Sequence, residues 1–206
     1  MITKAKNIIL NNIVYRKISR IPSIRRWLNA SMLNPHSYLK QKVVKKYAKR
    51  FSMDYLIETG TCGGDMLYAT RKTFKKLYSI ELAEIFYKLA KKRLSKYKHI
   101  SLYHGDSVEV LPKILENIKK PCLFWLDAHY SGGYSAKGNL DTPIMQELRI
   151  IFDKSKFNHV FLIDDAKLFL GKNDYPTLKE LKDFIISVRS DFTLMVKYDI
   201  IRIHKK

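Results

Sequence analysis

Three acidic residues stand where the sequence predicts that two neighbouring strands end. Asp127 follows one continuously apolar run, and the adjacent pair Asp164 and Asp165 follows another. Two adjacent carboxylates repel each other, so they need a cation or a base nearby. Oxygen ligands of this kind converge on hard divalent ions, which makes the three acids a candidate Mg²⁺ site. The alternative is that Asp165 caps the following segment and that Lys167 neutralises the pair.

A glycine-rich turn provides a second candidate for chemistry. The segment 58–64 reads Glu-x-Gly-x-x-x-Gly, with glycines at Gly60, Gly63 and Gly64, and it lies between an apolar run and a predicted helix. Glycine lets a backbone turn sharply and approach a ligand closely. The helix that follows presents unpaired N–H groups to that ligand. The segment predicts a binding turn, although an ordinary strand-to-helix turn has the same pattern.

Two further acids end predicted strands at informative distances. Glu81 comes 21 positions after Gly60, and an acid there accepts hydrogen bonds from both ribose hydroxyls in nucleoside-binding folds. Asp106 follows the third predicted strand and also suits the N-cap of a helix over 107–118. Together with the turn, these acids predict a nucleoside-cofactor site.

These motifs resemble those of class I S-adenosylmethionine-dependent methyltransferases. The turn is similar to their first motif, with Cys62 in place of the middle glycine of Gly-x-Gly-x-Gly. In that family an acid after the third strand contacts the adenine amino group, and Asp106 matches it. The resemblance assigns cofactor binding to one set of residues: Glu58, Gly60, Thr61, Gly63, Gly64, Glu81, Asp106, Ser107 and Asp127.

The carboxyl half resembles one bacterial branch of that family, the macrocin-type sugar O-methyltransferases. The resemblance lies in Leu-Asp-Ala-His-Tyr-Ser-Gly-Gly, Asp-Thr-Pro-Ile and Leu-Ile-Asp-Asp-Ala. It implies Mg²⁺ held by Asp127, Asp164 and Asp165, with His129 as general base. It covers residues 52–206 and leaves the acceptor unidentified.

Strands and helices alternate after residue 54. Strands are predicted at 55–59, 76–81, 100–105, 122–127, 159–164, 192–197 and 200–204, and helices at 65–73, 84–97, 107–118, 142–154 and 177–189. This order predicts an α/β fold: a Rossmann-like, doubly wound, mostly parallel seven-stranded sheet with an antiparallel terminal hairpin. We expect a methyltransferase domain over 54–206, preceded by a basic helical extension over 1–53 in which Ser37 caps a helix that runs to about Phe51.

The net charge of +20 is unevenly distributed. Residues 1–50 carry thirteen Lys or Arg and no acid, whereas residues 51–206 carry 26 basic and 19 acidic residues. Such a field attracts polyanions. We expect the extension to pack on the domain with its cations in solvent. The sharper alternatives are docking to an anionic membrane face or a protein partner, followed by nucleic-acid binding.

The remaining composition points to the cytoplasm. Only two cysteines are present, Cys62 and Cys122, so no disulfide framework or zinc spacing is indicated. No apolar run reaches transmembrane length, and no secretory signal is evident. We expect a cytoplasmic protein, peripheral at the inner membrane face if the extension binds lipid.

The sequence thus predicts an S-adenosylmethionine-dependent O-methyltransferase that acts on a hydroxyl of a sugar, a glycan or a small molecule, assisted by Mg²⁺. His129 would remove the proton, and the loop 131–138, with Thr142 and Pro143 restarting a helix, would border the acceptor. A nucleic-acid methyltransferase that uses the basic arm and a non-catalytic binding module stay open as alternatives. An NAD-dependent enzyme is disfavoured, because Gly-x-Gly-x-x-Gly does not occur in the turn. Oligomerisation is also left open.

Overall fold

The computed structural model describes residues 35–128 and 140–206. The chain divides into two compact units, residues 1–40 and residues 41–206. The predicted boundary between an extension over 1–53 and a domain over 54–206 stays a prediction, because residues 1–34 lie outside the described residues.

The described residues alternate helices and strands, and the first helix spans the boundary between the two units. The helices are α1 Pro35–Arg50, α2 Asp65–Thr70, α3 Glu84–Leu94, α4 Ser107–Leu115, α5 Ile144–Lys154 and α6 Leu178–Val188, with a 3-10 helix at Ala166–Leu168. The strands are β1 Tyr55–Thr59, β2 Lys76–Glu81, β3 Ile100–His104, β4 Leu123–Leu126, β5 Val160–Ile163, β6 Phe192–Lys197 and β7 Ile200–Lys205.

The seven strands form one sheet in the order β3-β2-β1-β4-β5-β7-β6. Strands β1 to β5 are parallel, and β7 runs antiparallel to both β5 and β6. This confirms the predicted mostly parallel sheet with an antiparallel terminal hairpin. The strand order reverses between β1 and β4, and ligands of open α/β sheets bind outside the strand ends at such a switch point.

Helices cover both faces of the sheet. Helices α4, α5 and α6 pack in one hydrophobic cluster with Phe124 of β4. The part of α1 from residue 41 packs with α2, α3 and Trp125 of β4 in a second cluster. Neighbouring residues of a strand point to opposite faces, so the chain forms an α1–α3 layer and an α4–α6 layer around a sheet whose central strands are fully buried.

Three predicted helices were one turn too long. The predicted helices over 65–73, 84–97 and 107–118 end at Thr70, Leu94 and Leu115. In each case the next turn closes through a backbone N–H that donates to the carbonyl three residues back, as in a 3-10 turn. The apolar pattern continues through such a turn, so the sequence does not separate it from the helix.

Two predicted helix starts were also wrong. Ser37 lies inside α1, which begins at Pro35, and α5 begins at Ile144 rather than at Thr142. Proline has the backbone geometry of a first helical turn, which suits Pro35. Thr142 still serves the helix end, because the Ile144 N–H donates to its Oγ1 at 3.4 Å. Within the described ranges, no helix has the length and apolar character needed to cross a membrane.

His159 belongs to the core. Its Nδ1 accepts from the Cys122 N–H at 3.0 Å, and its Nε2 lies 2.7 Å from Ser155 Oγ. Phe124 packs edge-on against its ring. Burial lowers the pKa of His159 to about 4, so this histidine stays neutral and joins the start of β4 to the start of β5, at the sheet edge away from the predicted site.

Candidate active site

Backbone hydrogen bonds bring the strand-end residues together along one edge of the sheet, here called the rim. The Asp127 N–H donates to the Thr59 carbonyl at 3.0 Å, and the Asp164 N–H donates to the Leu126 carbonyl at 3.1 Å. On the other side of β1, the Gly105 N–H donates to the Glu81 carbonyl at 3.0 Å. The acids predicted to share a site therefore lie along the carboxyl ends of five adjacent strands.

Gly60 lies against the chain that leaves β4. Its φ is +84°, and a Cβ at this position would lie 2.5 Å from the Asp127 carbonyl oxygen. Both observations require glycine. Gly64 also has a positive φ, +75°, and it is the N-cap of α2. Gly63 has neither constraint, because the nearest atom to a Cβ there is 4.0 Å away.

Cys62, which stands in place of the middle glycine of Gly-x-Gly-x-Gly, has a backbone conformation that glycine usually adopts. Its φ is +50°, in the left-handed region that glycine usually occupies. Burial raises its thiol pKa well above the usual range, so the side chain stays protonated. The left-handed geometry also directs the Cys62 N–H to Glu81 Oε2, at 2.6 Å.

Glu81 connects the glycine turn to the start of α3. Besides Cys62, its carboxylate accepts from the Ala83 N–H at 2.8 Å through Oε1. The side chain is mostly buried, and burial raises its pKa despite these bonds. Each carboxylate oxygen has two lone pairs, so Glu81 keeps acceptor capacity for a ligand beside the turn.

Glu58 and Thr61 lie under the same turn. Glu58 is 1% exposed, and its Oε2 accepts from Ser79 Oγ at 2.6 Å. The Thr61 hydroxyl lies 2.5 Å from the same Ser79 oxygen. Burial raises the pKa of Glu58 well above its usual range. Both side chains are therefore placed to support the turn from the core.

Asp106 is the N-cap of α4, as predicted. Its Oδ1 accepts from the Val108 N–H at 2.9 Å. Ser107 is buried beside it and forms a hydrogen bond with Glu147 of α5. The cap fixes the Asp106 carboxylate at the end of β3, next to the strand that carries Glu81.

Asp127, Asp164 and Asp165 form a compact triad. Each offers one carboxylate oxygen such that the three atoms lie within 4.8 Å of one another. Asp165 has φ +52° and begins the 3-10 helix without a side-chain cap. Lys167 Nζ contacts Asp165 Oδ1 at 2.9 Å and Asp199 Oδ2 at 2.7 Å. The three acids thus converge, as the magnesium hypothesis requires. Lys167 also neutralises one of them, Asp165, as the alternative hypothesis requires.

His129, together with the loop 131–138, lies outside the described residues, so its role as general base stays a prediction.

Sequence reasoning missed Glu147 and Tyr175. Glu147 is 1% exposed, and its Oε2 lies 3.4 Å from the Thr59 hydroxyl. Tyr175 packs edge-on against Phe169 and forms a hydrogen bond with Thr142 beside the triad. Burial, with the nearby Asp165 carboxylate adding to it, raises the pKa of Tyr175 to about 12, so the phenol stays a neutral hydrogen-bonding group.

Burial raises the pKa of Glu147 to about 7, against the opposing effect of the Ser107 and Thr59 hydroxyls. The negative charges of Asp106 and Asp127 act in the same direction as burial. Near neutral pH this side chain thus carries its proton about half of the time.

Comparison with known proteins gives matches among solved structures only. No model of a known protein family matches the sequence, and no curated protein matches it. The O-methyltransferase TomG from Streptomyces achromogenes, which is involved in tomaymycin synthesis and was solved with SAM, is 18% identical, with a TM-score of 0.60 over 81% of this chain and 78% of that chain.

Two further methyltransferase structures are similar in fold to this chain. An O-methyltransferase from Bacillus cereus in complex with SAH is 14% identical, with a TM-score of 0.62 over 100% of both chains. The SAH-bound methyltransferase PaMTH1 from Podospora anserina is 15% identical, with a TM-score of 0.59 over 89% of this chain and 87% of that chain. The chain has the class I methyltransferase fold. At these identities the likeness concerns the methyltransferase fold, and the resemblance to macrocin-type enzymes stays a prediction.

We predict that Gly60→Ala destabilises the methyltransferase fold by about 3 kcal/mol or more, because the new Cβ meets backbone and the φ is unfavourable. Gly63→Ala is the matched control and should change the free energy of unfolding by less than about 1 kcal/mol. Urea unfolding followed by circular dichroism measures both. Equal effects of the two substitutions would contradict the close approach of Gly60 to Asp127.

We predict that Glu147→Gln changes the pH dependence of stability. The folded-state pKa of about 7 exceeds the unfolded value of 4.5, so the contribution of Glu147 is fully present below pH 4.5 and is lost as the pH rises through 7. The loss is about 3 kcal/mol. The difference in unfolding free energy between wild type and variant, measured from pH 4.5 to 8, should therefore shift in favour of the variant. A difference independent of pH would show that Glu147 is not protonated in the fold.

Proposed function

We propose that this protein is an S-adenosylmethionine-dependent O-methyltransferase that acts on a hydroxyl of a sugar or glycan with the help of Mg²⁺. The observation that carries the proposal is the arrangement of the rim. The glycine turn and two acids that suit a nucleoside lie along one part of the rim. A triad of acids that suits a divalent cation lies beside them, where Gly60 approaches Asp127.

The cofactor side of the rim fits S-adenosylmethionine. Gly60 lets the turn pack closely against the chain that leaves β4, and Glu81 is held beside the turn with spare acceptor capacity for ribose hydroxyls. Asp106, fixed by its capping bond, would accept from the adenine amino group. When bound, the cofactor supplies a methyl group on a sulfonium, which is already a good leaving group.

The acceptor side fits a hydroxyl. A sugar hydroxyl is a poor nucleophile until it loses its proton. Asp127, Asp164 and Asp165 would hold Mg²⁺, and the ion would supply a positive charge that lowers the pKa of a hydroxyl beside it. Tyr175 adds a neutral phenol beside the triad, and His129 is the proposed proton acceptor.

The chemistry of the two cysteines disfavours a pyrimidine-carbon acceptor. Enzymes that attack a base covalently need a thiolate. Burial raises the pKa of Cys122 to about 12 and that of Cys62 well above its usual range. Neither thiol is therefore suited to act as a nucleophile.

The cofactor assignment predicts that wild-type protein binds S-adenosylhomocysteine and that Glu81→Gln weakens binding at least about tenfold, because the amide replaces a charged acceptor. Glu84→Gln is the matched control: Glu84 is exposed and pairs with Lys88 at the start of α3. Isothermal titration calorimetry measures affinity, and thermal unfolding confirms that each variant is folded. Absence of binding to wild type would favour a non-catalytic module, and equal affinity of the Glu81 variant would remove Glu81 from the site.

The metal assignment is tested with Mn²⁺ in place of Mg²⁺. We expect one Mn²⁺ to bind to the wild type, and Asp164→Asn to weaken binding at least about tenfold through loss of one charged ligand. Asp153→Asn, on the exposed surface of α5, should bind as wild type does. Electron paramagnetic resonance of free Mn²⁺ gives the affinities. Unchanged binding by the Asp164 variant, or none by wild type, would leave Lys167 as the counter-charge of the triad.

A further inference from the structure

The two helix layers differ sharply in charge. From Gln41 to its end, α1 carries five basic residues and no acid; α2 carries one acid, and α3 carries four basic residues and one acid. The α1–α3 layer thus has a net charge of +7. In the opposite layer α4, α5 and α6 each carry equal numbers of basic and acidic residues, so its net charge is zero.

The lysines of the α1–α3 layer and Arg50 are in solvent, whereas Arg93 is half-buried and pairs with Asp65 at 2.6 Å. Val44 and Leu94 are buried in the core cluster between that layer and the sheet. The exposed cations of the two long helices, counted from Gln41 in α1, form what we call the basic face: Lys42, Lys45, Lys46, Lys49, Arg50, Lys88, Lys91 and Lys92. Of these, Lys88 is paired with Glu84. A charge of this size on one face attracts a polyanion.

This polyanion is distinct from the acceptor at the rim. The rim itself is acidic, because five acidic side chains follow or end its strands: Glu81, Asp106, Asp127, Asp164 and Asp165. A nucleic-acid backbone that entered the rim would meet repulsion from these groups. The basic face belongs to a helix layer on a face of the sheet, so it can be engaged while the rim stays open.

We propose that the basic face docks the protein on the headgroups of an anionic membrane. Seven of its eight cations are lysines, which act as hydrated point charges and do not form the bidentate phosphate contacts of arginine. Between residues 41 and 98 the structure exposes no large hydrophobic residue, so this part of the layer offers neither a stacking platform for bases nor a wedge for insertion. Adsorption by charge alone matches polybasic binding to anionic lipid.

The test uses the full chain and a charge-matched pair of variants. The basic-face variant carries Lys45→Glu, Lys46→Glu and Lys49→Glu. The control carries the same change in net charge on exposed lysines of the α4–α6 layer: Lys113→Glu, Lys154→Glu and Lys179→Glu. Circular dichroism and thermal unfolding verify that both are folded. Binding is measured by sedimentation with vesicles of phosphatidylglycerol and phosphatidylcholine, and with phosphatidylcholine alone.

Wild type should bind the phosphatidylglycerol vesicles and not the pure phosphatidylcholine vesicles, and binding should weaken with salt. The basic-face variant should lose at least about tenfold in partition coefficient, while the control stays within about twofold. Equal losses in both variants would show that only net charge matters, and equal binding by all proteins would place lipid contacts elsewhere; either result overturns the proposal. The proposal would also be overturned if the basic-face variant lost binding to duplex DNA but kept its binding to the vesicles.

Discussion

The close approach of Gly60 to the Asp127 backbone is the constraint on which the rest of the site depends. A Cβ at Gly60 would lie 2.5 Å from the Asp127 carbonyl oxygen, so the first turn of the sheet and the chain leaving β4 meet with no room for a side chain. This contact lies at the point where the strand order reverses. It sets the glycine turn beside the acid triad, and the carboxylate of Glu81 then holds the turn through the Cys62 N–H.

Charge is separated on the folded domain in a way that suits the proposed function. Acids collect at the rim, which suits the proposed sulfonium cofactor and divalent cation because both would bring positive charge. Carboxyls at and beside the rim are buried, and burial raises the pKa of Glu58, Glu81 and Glu147. Positive ligands would relieve part of the repulsion among these groups. The excess of cations lies instead on the α1–α3 layer, and Lys167 pairs with a rim acid, Asp165.

The sequence was sufficient for the strands and for the acids that follow them, because each acid comes directly after an apolar run and parallel strands end at one edge. Glu147 had a detectable signal: it shares a helical face with Ile144, Leu148 and Ile151, all of which are buried. Tyr175 had none, since the path of the chain between β5 and α6 depends on tertiary packing. The left-handed backbone of Cys62 was equally hidden, because the usual marker for that geometry is glycine. The charged layer could not be predicted either, since it requires knowing which helices share a face.

The most direct measurement is a crystal structure of the full chain grown with S-adenosylhomocysteine. We predict a nucleoside beside the glycine turn, with the ribose hydroxyls within hydrogen-bond distance of the Glu81 carboxylate and the adenine amino group within hydrogen-bond distance of Asp106. A nucleoside bound away from the turn, or one at the turn whose ribose contacts neither oxygen of Glu81, would contradict it.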